Sequence, residues 1–280
     1  MKNLFSLFTL LVLICNSRVF AARVDTVTIY SNSMHKAIRC VVITPNTYKV
    51  KRSTFPVVYL LHGYGGDFRN WITLVPELKE FADKYREILV CPDGATASWY
   101  FDSPVDNTMR YETYIGKEVP HYIDSAYRTV ANKYHRAITG LSMGGHGALF
   151  IAWRHPNMFA SAGSMSGGVD LKGSVHRFEI EKVLGDRTRY TANWYNNSIV
   201  NLVENKSASP LSLIIDCGAD DIFIAENRKL HEKLLALKVD HTYIERPGNH
   251  SWNYWKYAID FQLLYFRKLF DAQLHQLTNK

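Results

Sequence analysis

The chain has 280 residues, 47% of them hydrophobic, and its 33 basic and 26 acidic side chains give a formal net charge of +7. This apolar content is enough for a well-packed core, and no repeat, low-complexity tract or linker rich in Pro, Gly and Ser divides the sequence. The basic residues are spread out without a basic block, which argues against nucleic-acid binding.

The first residues have the pattern of a secretory signal peptide. Lys2 precedes a short apolar stretch that ends at Cys15, and small residues suitable for cleavage end at Ala22. The stretch is short for a bilayer span, so we expect no stable membrane insertion. Lipid attachment to Cys15 is a minor alternative, because the residue before it is bulky. The sequence therefore predicts a signal peptide over residues 1–22, one folded domain over residues 23–280, and a secreted or periplasmic location.

Strand-like segments alternate with helical ones through the rest of the chain. The strand-like segments are Val24–Tyr30, Arg39–Thr44, Pro56–Leu61, Ile88–Cys91, Ala137–Thr139, Ala160–Met165, Leu211–Asp216 and Thr242–Arg246. This alternation predicts an α/β fold with a mostly parallel central sheet and helices on both of its faces. The first two segments are expected to pair antiparallel at one edge of the sheet.

Two of the predicted strands lead into loops with features of a binding site. The segment that ends at Leu61 opens into His62-Gly63-Tyr64-Gly65-Gly66, a glycine-rich loop whose backbone N–H groups suit an anion. The segment that ends at Cys91 is followed by Trp99 and Tyr100, at the carboxyl edge where ligands bind in open α/β sheets. Because flat aromatic faces suit sugar or feruloyl rings, we expect Trp99 and Tyr100 to contact substrate; core packing is the alternative.

The most informative stretch is Gly140-Leu141-Ser142-Met143-Gly144, a G-x-S-x-G sequence between an apolar strand and an alanine-rich helix. This context is typical of a nucleophile elbow, in which a strained strand-to-helix turn pushes the serine hydroxyl out at the carboxyl end of the sheet. Ser142 is therefore the predicted nucleophile. Ser166 lies in a similar run of Gly and Ser, but no alanine-rich helix follows it.

The C-terminal third of the chain supplies an acid and a histidine in the order that this architecture requires. Asp220 and Asp221 follow the strand-like segment that breaks at Gly218; we expect Asp221 to be the acid, with Asp220 as the alternative. His250 lies on the loop after the last strand-like segment, and functional residues are often on such loops. Trp252 follows two residues later and is expected to contact substrate.

These residues predict nucleophilic catalysis by a Ser-His-Asp triad. A serine hydroxyl is not ionised near neutral pH, so His250 would take its proton while Asp221 fixes the tautomer of the imidazole. The backbone N–H groups of Met143 and Tyr64, with that of Gly65 as the fallback for the second, would form the oxyanion hole. No Cys/His cluster has the spacing of a metal site and no glycine-rich loop suits a nucleotide phosphate, so we expect neither a metal nor a cofactor.

Six motifs together resemble the esterase D type of α/β-hydrolase. They are L-L-H-G-Y-G-G-D from Leu60, S-W-Y from Ser98, Y-E-T-Y-I from Tyr111, G-L-S-M-G-G-H-G from Gly140, D-C-G-A-D-D from Asp216 and R-P-G-N-H-S-W-N-Y-W from Arg246. This family includes S-formylglutathione hydrolases, tributyrin esterases, the acetyl xylan and feruloyl esterases of carbohydrate esterase family 1, and mycolyltransferases. The resemblance runs from about Val27 to Phe270 and implies an α/β-hydrolase fold with Ser142, Asp221 and His250 as the triad. The residue before His250 is Asn, where the family usually has Gly.

Taken with the predicted export, the resemblance implies a secreted serine carboxylesterase. It would cleave short acyl or hydroxycinnamoyl esters of carbohydrate through an acyl-enzyme. Two alternatives stay open: an acyltransferase that passes the acyl group to a sugar hydroxyl, and a general short-chain esterase. The expected partner is a small-molecule or carbohydrate ester, and no pattern indicates the oligomeric state. Cys40, Cys91 and Cys217 lie in or at the end of apolar strands and are expected to be buried free thiols.

Overall fold

The computed structural model describes residues 22–174, 176–205 and 210–278, so the predicted signal peptide lies outside the described residues except for Ala22. Within these ranges, eight strands form one sheet. The strands are β1 (Arg23–Ser31), β2 (Lys36–Thr44), β3 (Val57–Leu61), β4 (Ile88–Pro92), β5 (Arg136–Gly140), β6 (Ser161–Met165), β7 (Ser212–Gly218) and β8 (His241–Arg246).

The order of strands across the sheet is β1-β2-β4-β3-β5-β6-β7-β8. β2 pairs antiparallel with both β1 and β4, and all the other neighbouring pairs are parallel. The mostly parallel sheet and the antiparallel pair at one edge are therefore confirmed. Because β3 to β8 run in one direction, their carboxyl ends meet along one edge of the sheet, where the loops that follow them come together.

Helices connect the strands. They are α1 (Asn70–Leu74), α2 (Leu78–Tyr85), α3 (Tyr111–Thr113), α4 (Val119–Ala126), α5 (Met143–Arg154), α6 (Ile180–Leu184), α7 (Thr191–Asn197), α8 (Ile199–Leu202), α9 (Ile224–Ala236) and α10 (Trp252–Thr278). A π-helical turn over Tyr114–Glu118 joins α3 to α4. The segment between β6 and β7, which has no strand pattern in the sequence, forms α6, α7 and α8.

The core lies in two layers, one on each face of the sheet. Successive side chains of a strand point to opposite faces, so Tyr59 joins the layer under α4, α5 and α9 while Val58 and Leu60 join the layer under α2 and α10. β3, β4, β5 and β6 are buried along their whole length. This two-sided coverage confirms the predicted fold class.

Candidate active site

Ser142 occupies the sharp turn between β5 and α5. Its φ of 54° and ψ of −118° are outside the regions that non-glycine residues normally adopt. The two glycines of the motif allow this turn to pack against β3, because a Cβ on Gly140 would lie 2.7 Å from the Leu61 carbonyl oxygen and 2.6 Å from the Gly144 backbone. A Cβ on Gly144 would lie 2.4 Å from the Leu61 carbonyl oxygen. The strained turn that the sequence predicts is therefore present, with close backbone packing on both sides of it.

The structure brings Ser142, His250 and Asp221 together. Ser142 Oγ lies 3.0 Å from His250 Nε2, and His250 Nδ1 lies 3.0 Å from each carboxyl oxygen of Asp221. The carboxylate requires a proton on Nδ1, which leaves Nε2 free to accept the Ser142 hydroxyl. Asp221 is buried and also accepts the Phe223 N–H at 2.8 Å, whereas Asp220 is exposed to solvent.

Two loops hold the acid and the histidine at the ends of β7 and β8. The backbone N–H of Asp220 donates to the Gly248 carbonyl at 2.9 Å, and a Cβ on Gly218 would lie only 2.3 Å from that same oxygen. Below this contact, the buried carboxylate of Asp216 accepts hydrogen bonds from Tyr254 and Arg246. Burial raises the pKa of Asp216, while these two donors act in the opposite direction. The cluster ties the start of the histidine loop to the core.

Aromatic rings enclose the histidine. The centre of the His250 ring lies 5.2 Å from that of Phe223 and 4.8 Å from that of Trp255, both in edge-to-face contacts. About 20% of the His250 side chain remains exposed. The imidazole is therefore held in orientation but remains accessible from the pocket.

The loop after β3 offers a backbone donor next to Ser142. The Gly65 N–H donates to the Thr96 carbonyl at 2.9 Å, and the Gly66 N–H donates to the Gly63 carbonyl at 3.1 Å. Among the described residues, neither the Tyr64 N–H nor the Met143 N–H has a hydrogen-bond acceptor. A free donor suits an oxyanion hole, so this arrangement favours Tyr64 over Gly65 as the second donor.

His62 supports this loop from below. The Gly94 N–H donates to His62 Nε2 at 2.8 Å, so the proton lies on Nδ1, which donates to the Gly63 carbonyl at 2.8 Å. Burial lowers the pKa of His62, which favours this neutral form. The Tyr100 hydroxyl donates to the His62 carbonyl at 2.9 Å. The loops after β3 and β4 are thus joined through one buried imidazole.

A pocket of about 360 Å³ opens at Ser142. Its walls come from the loop after β3, the nucleophile turn, the segment before α6 and the start of α10. The lining residues are Gly63, Tyr64, Gly65, Gly66, Asn70, Leu141, Ser142, Phe178, His250, Trp252 and Trp255. The cavity therefore combines the reactive groups with aromatic walls on more than one side.

The positions of the predicted substrate-contacting aromatics differ. Trp252 lines the pocket, as expected for a residue that contacts substrate. Trp99 and Tyr100 are only 1% and 0% exposed, so neither ring offers a face to a sugar, and the expected stacking contact needs correction. Both residues have left-handed backbone, with φ of 52° and 61°, and the chain turns there so that their rings enter the core. Core packing, the alternative interpretation, describes them better.

Phe178 is a pocket residue that the sequence patterns do not reveal. It lies in the segment between β6 and β7, which carries no motif, and its place depends on contacts with distant residues. Trp255 belongs to a run of aromatic residues that is equally typical of helix packing. The sequence alone therefore does not show whether Trp255 lines the pocket or packs in the core.

Three further features concern the described residues. No three of their His, Cys, Asp and Glu side chains are grouped so as to hold a metal ion. No helix in this part of the chain is long and apolar enough to cross a membrane. Cys40, Cys91 and Cys217 are buried thiols.

A family model named Esterase, described as "Putative esterase", matches residues 31–266. The chain is similar to the esterase Rv1288 of Mycobacterium tuberculosis, with 31% identity over 238 residues that cover 75% of this chain and 51% of the relative. The chain spans about half the length of the Mycobacterium tuberculosis esterases that it matches.

Two other similarities concern the reaction type. The diacylglycerol acyltransferase/mycolyltransferase Ag85B of Mycolicibacterium smegmatis is 28% identical over 237 residues, which cover 71% of this chain and 72% of the relative. Among solved structures, a ferulic acid esterase superposes with a TM-score of 0.77 and 27% identity, covering 90% of this chain and 99% of that one.

Proposed function

The chain belongs to the Esterase family of carboxylic ester hydrolases, and we propose that it works as a secreted serine carboxylesterase. Its substrates are short acyl or hydroxycinnamoyl esters, with carbohydrate as the alcohol. The observation that carries this proposal is the chain of hydrogen bonds from Asp221 through His250 to Ser142, of which His250 and Ser142 line an open pocket.

The geometry supports a two-step reaction. His250 Nε2 takes the proton from Ser142 Oγ as the oxygen attacks the ester carbonyl, and the imidazolium then gives this proton to the leaving alcohol. The acyl group stays on Ser142 as an ester. Water then loses a proton to His250 and attacks the acyl carbon, which releases the acid and restores the serine hydroxyl. Asp221 stabilises the imidazolium in both steps, through the two 3.0 Å contacts with Nδ1.

The oxyanion of each tetrahedral intermediate accepts the Tyr64 and Met143 N–H groups. Two observations support this assignment over one that uses Gly65. The Gly65 N–H already donates to Thr96, and the Tyr64 N–H has no acceptor within the described parts of the chain. Loss of one such donor typically costs about 10²–10³-fold in rate.

The substrate class rests on similarity and on pocket chemistry. The similarity to a ferulic acid esterase supports a hydroxycinnamoyl acyl group. The ring of Trp252 and the other aromatic walls suit flat groups such as a phenolic ring or a sugar. Export would place the enzyme with extracellular polysaccharide.

A hydrolysis panel tests the proposal. Protein that begins at Arg23 is assayed on p-nitrophenyl acetate, methyl ferulate, and acetylated and feruloylated xylo-oligosaccharides, with Ser142→Ala as the matched control. We expect acid release from simple and oligosaccharide esters, and none from the control. Hydrolysis of simple esters alone would leave a general short-chain esterase. No release from any ester would contradict the esterase proposal itself.

Acyl transfer to a sugar is the second candidate, and the similarity to Ag85B favours it. The acyl-enzyme is the same in both reactions, and only the second nucleophile differs. Product analysis with an added disaccharide acceptor separates them. If acylated disaccharide forms faster than free acid, the transferase replaces the hydrolase.

We also propose that residues 1–22 are removed on export and that residues 23–280 form one catalytic domain. β1 begins at Arg23, directly after the predicted cleavage site, and the family match spans residues 31–266. The intact mass of exported protein should correspond to a start near Ala22 or Arg23. Retention of the leader, or a lipid mass on Cys15, would contradict this processing.

A further inference from the structure

Phe178 lines the pocket at Ser142 without belonging to an element that carries the triad. It lies two residues before α6, whose buried aliphatic side chains fix that helix on the core. Phe178 and Glu179 both have a φ of 55°, in the left-handed region that non-glycine residues seldom adopt. Such backbone persists only where its surroundings hold it, and it is often found at functional sites.

The Phe178 ring is held from several sides. Its centre lies 5.6 Å from that of Tyr64, 6.3 Å from that of Trp99 and 6.0 Å from that of Phe223. The Arg177 guanidinium lies 4.8 Å from the ring centre. The Tyr64 contact joins the segment before α6 to the loop that carries the proposed oxyanion donor. Phe178 and Tyr64 therefore form one aromatic wall of the pocket.

Trp99 fixes the backbone of this wall. Its indole Nε1–H donates to the Phe178 carbonyl at 3.1 Å. On its other side, the Trp99 ring lies against Gly168, where a Cβ would be 3.2 Å from Cη2. The Gly168 N–H in turn donates to the Ser142 carbonyl at 3.4 Å. One buried indole thus connects the nucleophile turn to Phe178.

We propose that Phe178 is a specificity-determining residue that contacts the larger substituent of the ester, and that Trp99 is the positioning residue that holds it. This role rests on the proposed function of the pocket, and it makes the wall that contains Phe178 the part of the pocket that selects bulky substrates. Trp99 thereby affects substrate choice without touching the substrate.

The size of the pocket explains why the effect depends on the substrate. A cavity of about 360 Å³ is much larger than an acetyl group. A small ester therefore makes few contacts with the Phe178 ring when its carbonyl lies at Ser142. A hydroxycinnamoyl group or a sugar ring extends to the wall and loses contact area when the ring is removed.

Steady-state kinetics of Phe178→Ala and Phe178→Tyr test the proposal. The substrates are ethyl acetate, a hydroxycinnamoyl ester and an acetylated xylo-oligosaccharide. For Phe178→Ala, kcat/KM of at least one bulky ester should fall about tenfold relative to ethyl acetate, mainly through KM. Phe178→Tyr keeps a ring and should keep most of the selectivity. Equal changes for all three substrates, within about twofold, would overturn the proposal. A wild-type protein inactive on every ester would instead contradict the proposed function.

Trp99→Phe tests the positioning role, because it keeps a buried aromatic ring while removing the N–H donor together with part of the indole. It should shift the same selectivity ratio by about threefold, and add nothing in the Phe178→Ala background. Trp194→Phe is the matched control, since the Trp194 indole N–H donates to the Gly185 carbonyl at 2.9 Å without contacting Phe178. Additive effects of Trp99→Phe and Phe178→Ala, or an equal shift in Trp194→Phe, would overturn the role of Trp99.

Discussion

Ser142 and His250 form a hydrogen bond of 3.0 Å, and the proposed reaction depends on the proton that crosses it. Ser142→Ala removes the nucleophile and His250→Ala removes the base. We expect each variant to lose kcat/KM by about 10⁴-fold or more while its unfolding temperature stays close to that of wild type. Ester hydrolysis assays with circular dichroism melts check both parts. Near-normal turnover in either folded variant would contradict the assignment.

Two neighbouring acids provide a matched pair for testing the third member. The carboxylate of Asp221 contacts His250 Nδ1, whereas Asp220 is exposed. Asp221→Asn should lower kcat about 10³–10⁴-fold, because an amide no longer enforces the required tautomer. Asp220→Asn should remain within about twofold of wild type. Equal losses, or the reverse ranking, would transfer the role to Asp220.

Residues on loops that directly follow strand-like segments could be chosen from the sequence. Ser142 and His250 are candidates of this kind, because turn-forming residues mark the ends of the strands before them. Trp99 also follows a strand, but the sequence does not show that its backbone is left-handed and turns its ring inward. The sequence does not predict Phe178 as a pocket residue, since its position depends on contacts with Tyr64 and Trp99, which are distant along the chain.

The contact between α5 and β3 depends on glycine at one position. A Cβ on Gly144 would meet backbone atoms of Leu61 and His62 at 2.4 and 2.6 Å, and backbone cannot move aside as a flexible side chain can. We expect Gly144→Ala to destabilise the protein by about 3 kcal/mol. Thermal melts should then show a fall of roughly 6–12 °C.

Gly65→Asn is the control for this glycine. Gly65 has a φ of 76°, and a Cβ there would meet no atom within 4 Å. Asn tolerates left-handed backbone, so the melting temperature of the Gly65→Asn variant should stay within about 3 °C of that of wild type. If Gly144→Ala and Gly65→Asn have the same melting temperature, the contact between α5 and β3 does not depend on glycine at position 144.

The strands are the elements that the sequence predicts best, because central strands such as β3 and β4 are short apolar runs that suit a sheet covered on both faces. Their ends are less well predicted. β2 begins at Lys36 instead of Arg39, because its hairpin with β1 continues to the Ser31–Lys36 pair, and the exposed Lys36 and Ala37 give no apolar pattern at that end. The helices between β6 and β7 are not predicted, since they are short and their apolar residues have no clear period.

At the scale of the whole molecule, Glu87 is an unusual feature of the core. It is fully buried just before β4, and neither carboxyl oxygen has a hydrogen-bond partner in the described ranges. Burial raises the pKa of Glu87 well above its usual range, with Arg267 acting in the opposite direction. The folded protein therefore holds a proton that the unfolded chain releases near pH 4.5.

This difference makes stability fall as pH rises above about 4.5 towards the folded-state pKa of Glu87. Glu87→Gln cannot ionise, so it should melt higher than wild type at pH 8, by several degrees, and the gap should shrink towards pH 4.5. The exposed Glu80→Gln is the control and should show no such trend. A gap that is the same at pH 5 and pH 8 would contradict a buried, proton-retaining Glu87.

The proposed reaction depends on one reactive hydroxyl in the pocket, that of Ser142. A fluorophosphonate forms a stable bond to such a serine, and intact mass with peptide mapping locates it. We predict one equivalent of label, on the peptide that contains Ser142, with activity lost in step with labelling and no label on Ser142→Ala. Label on Ser166 or another serine, or full activity after complete labelling of Ser142, would contradict the role of Ser142 as the nucleophile.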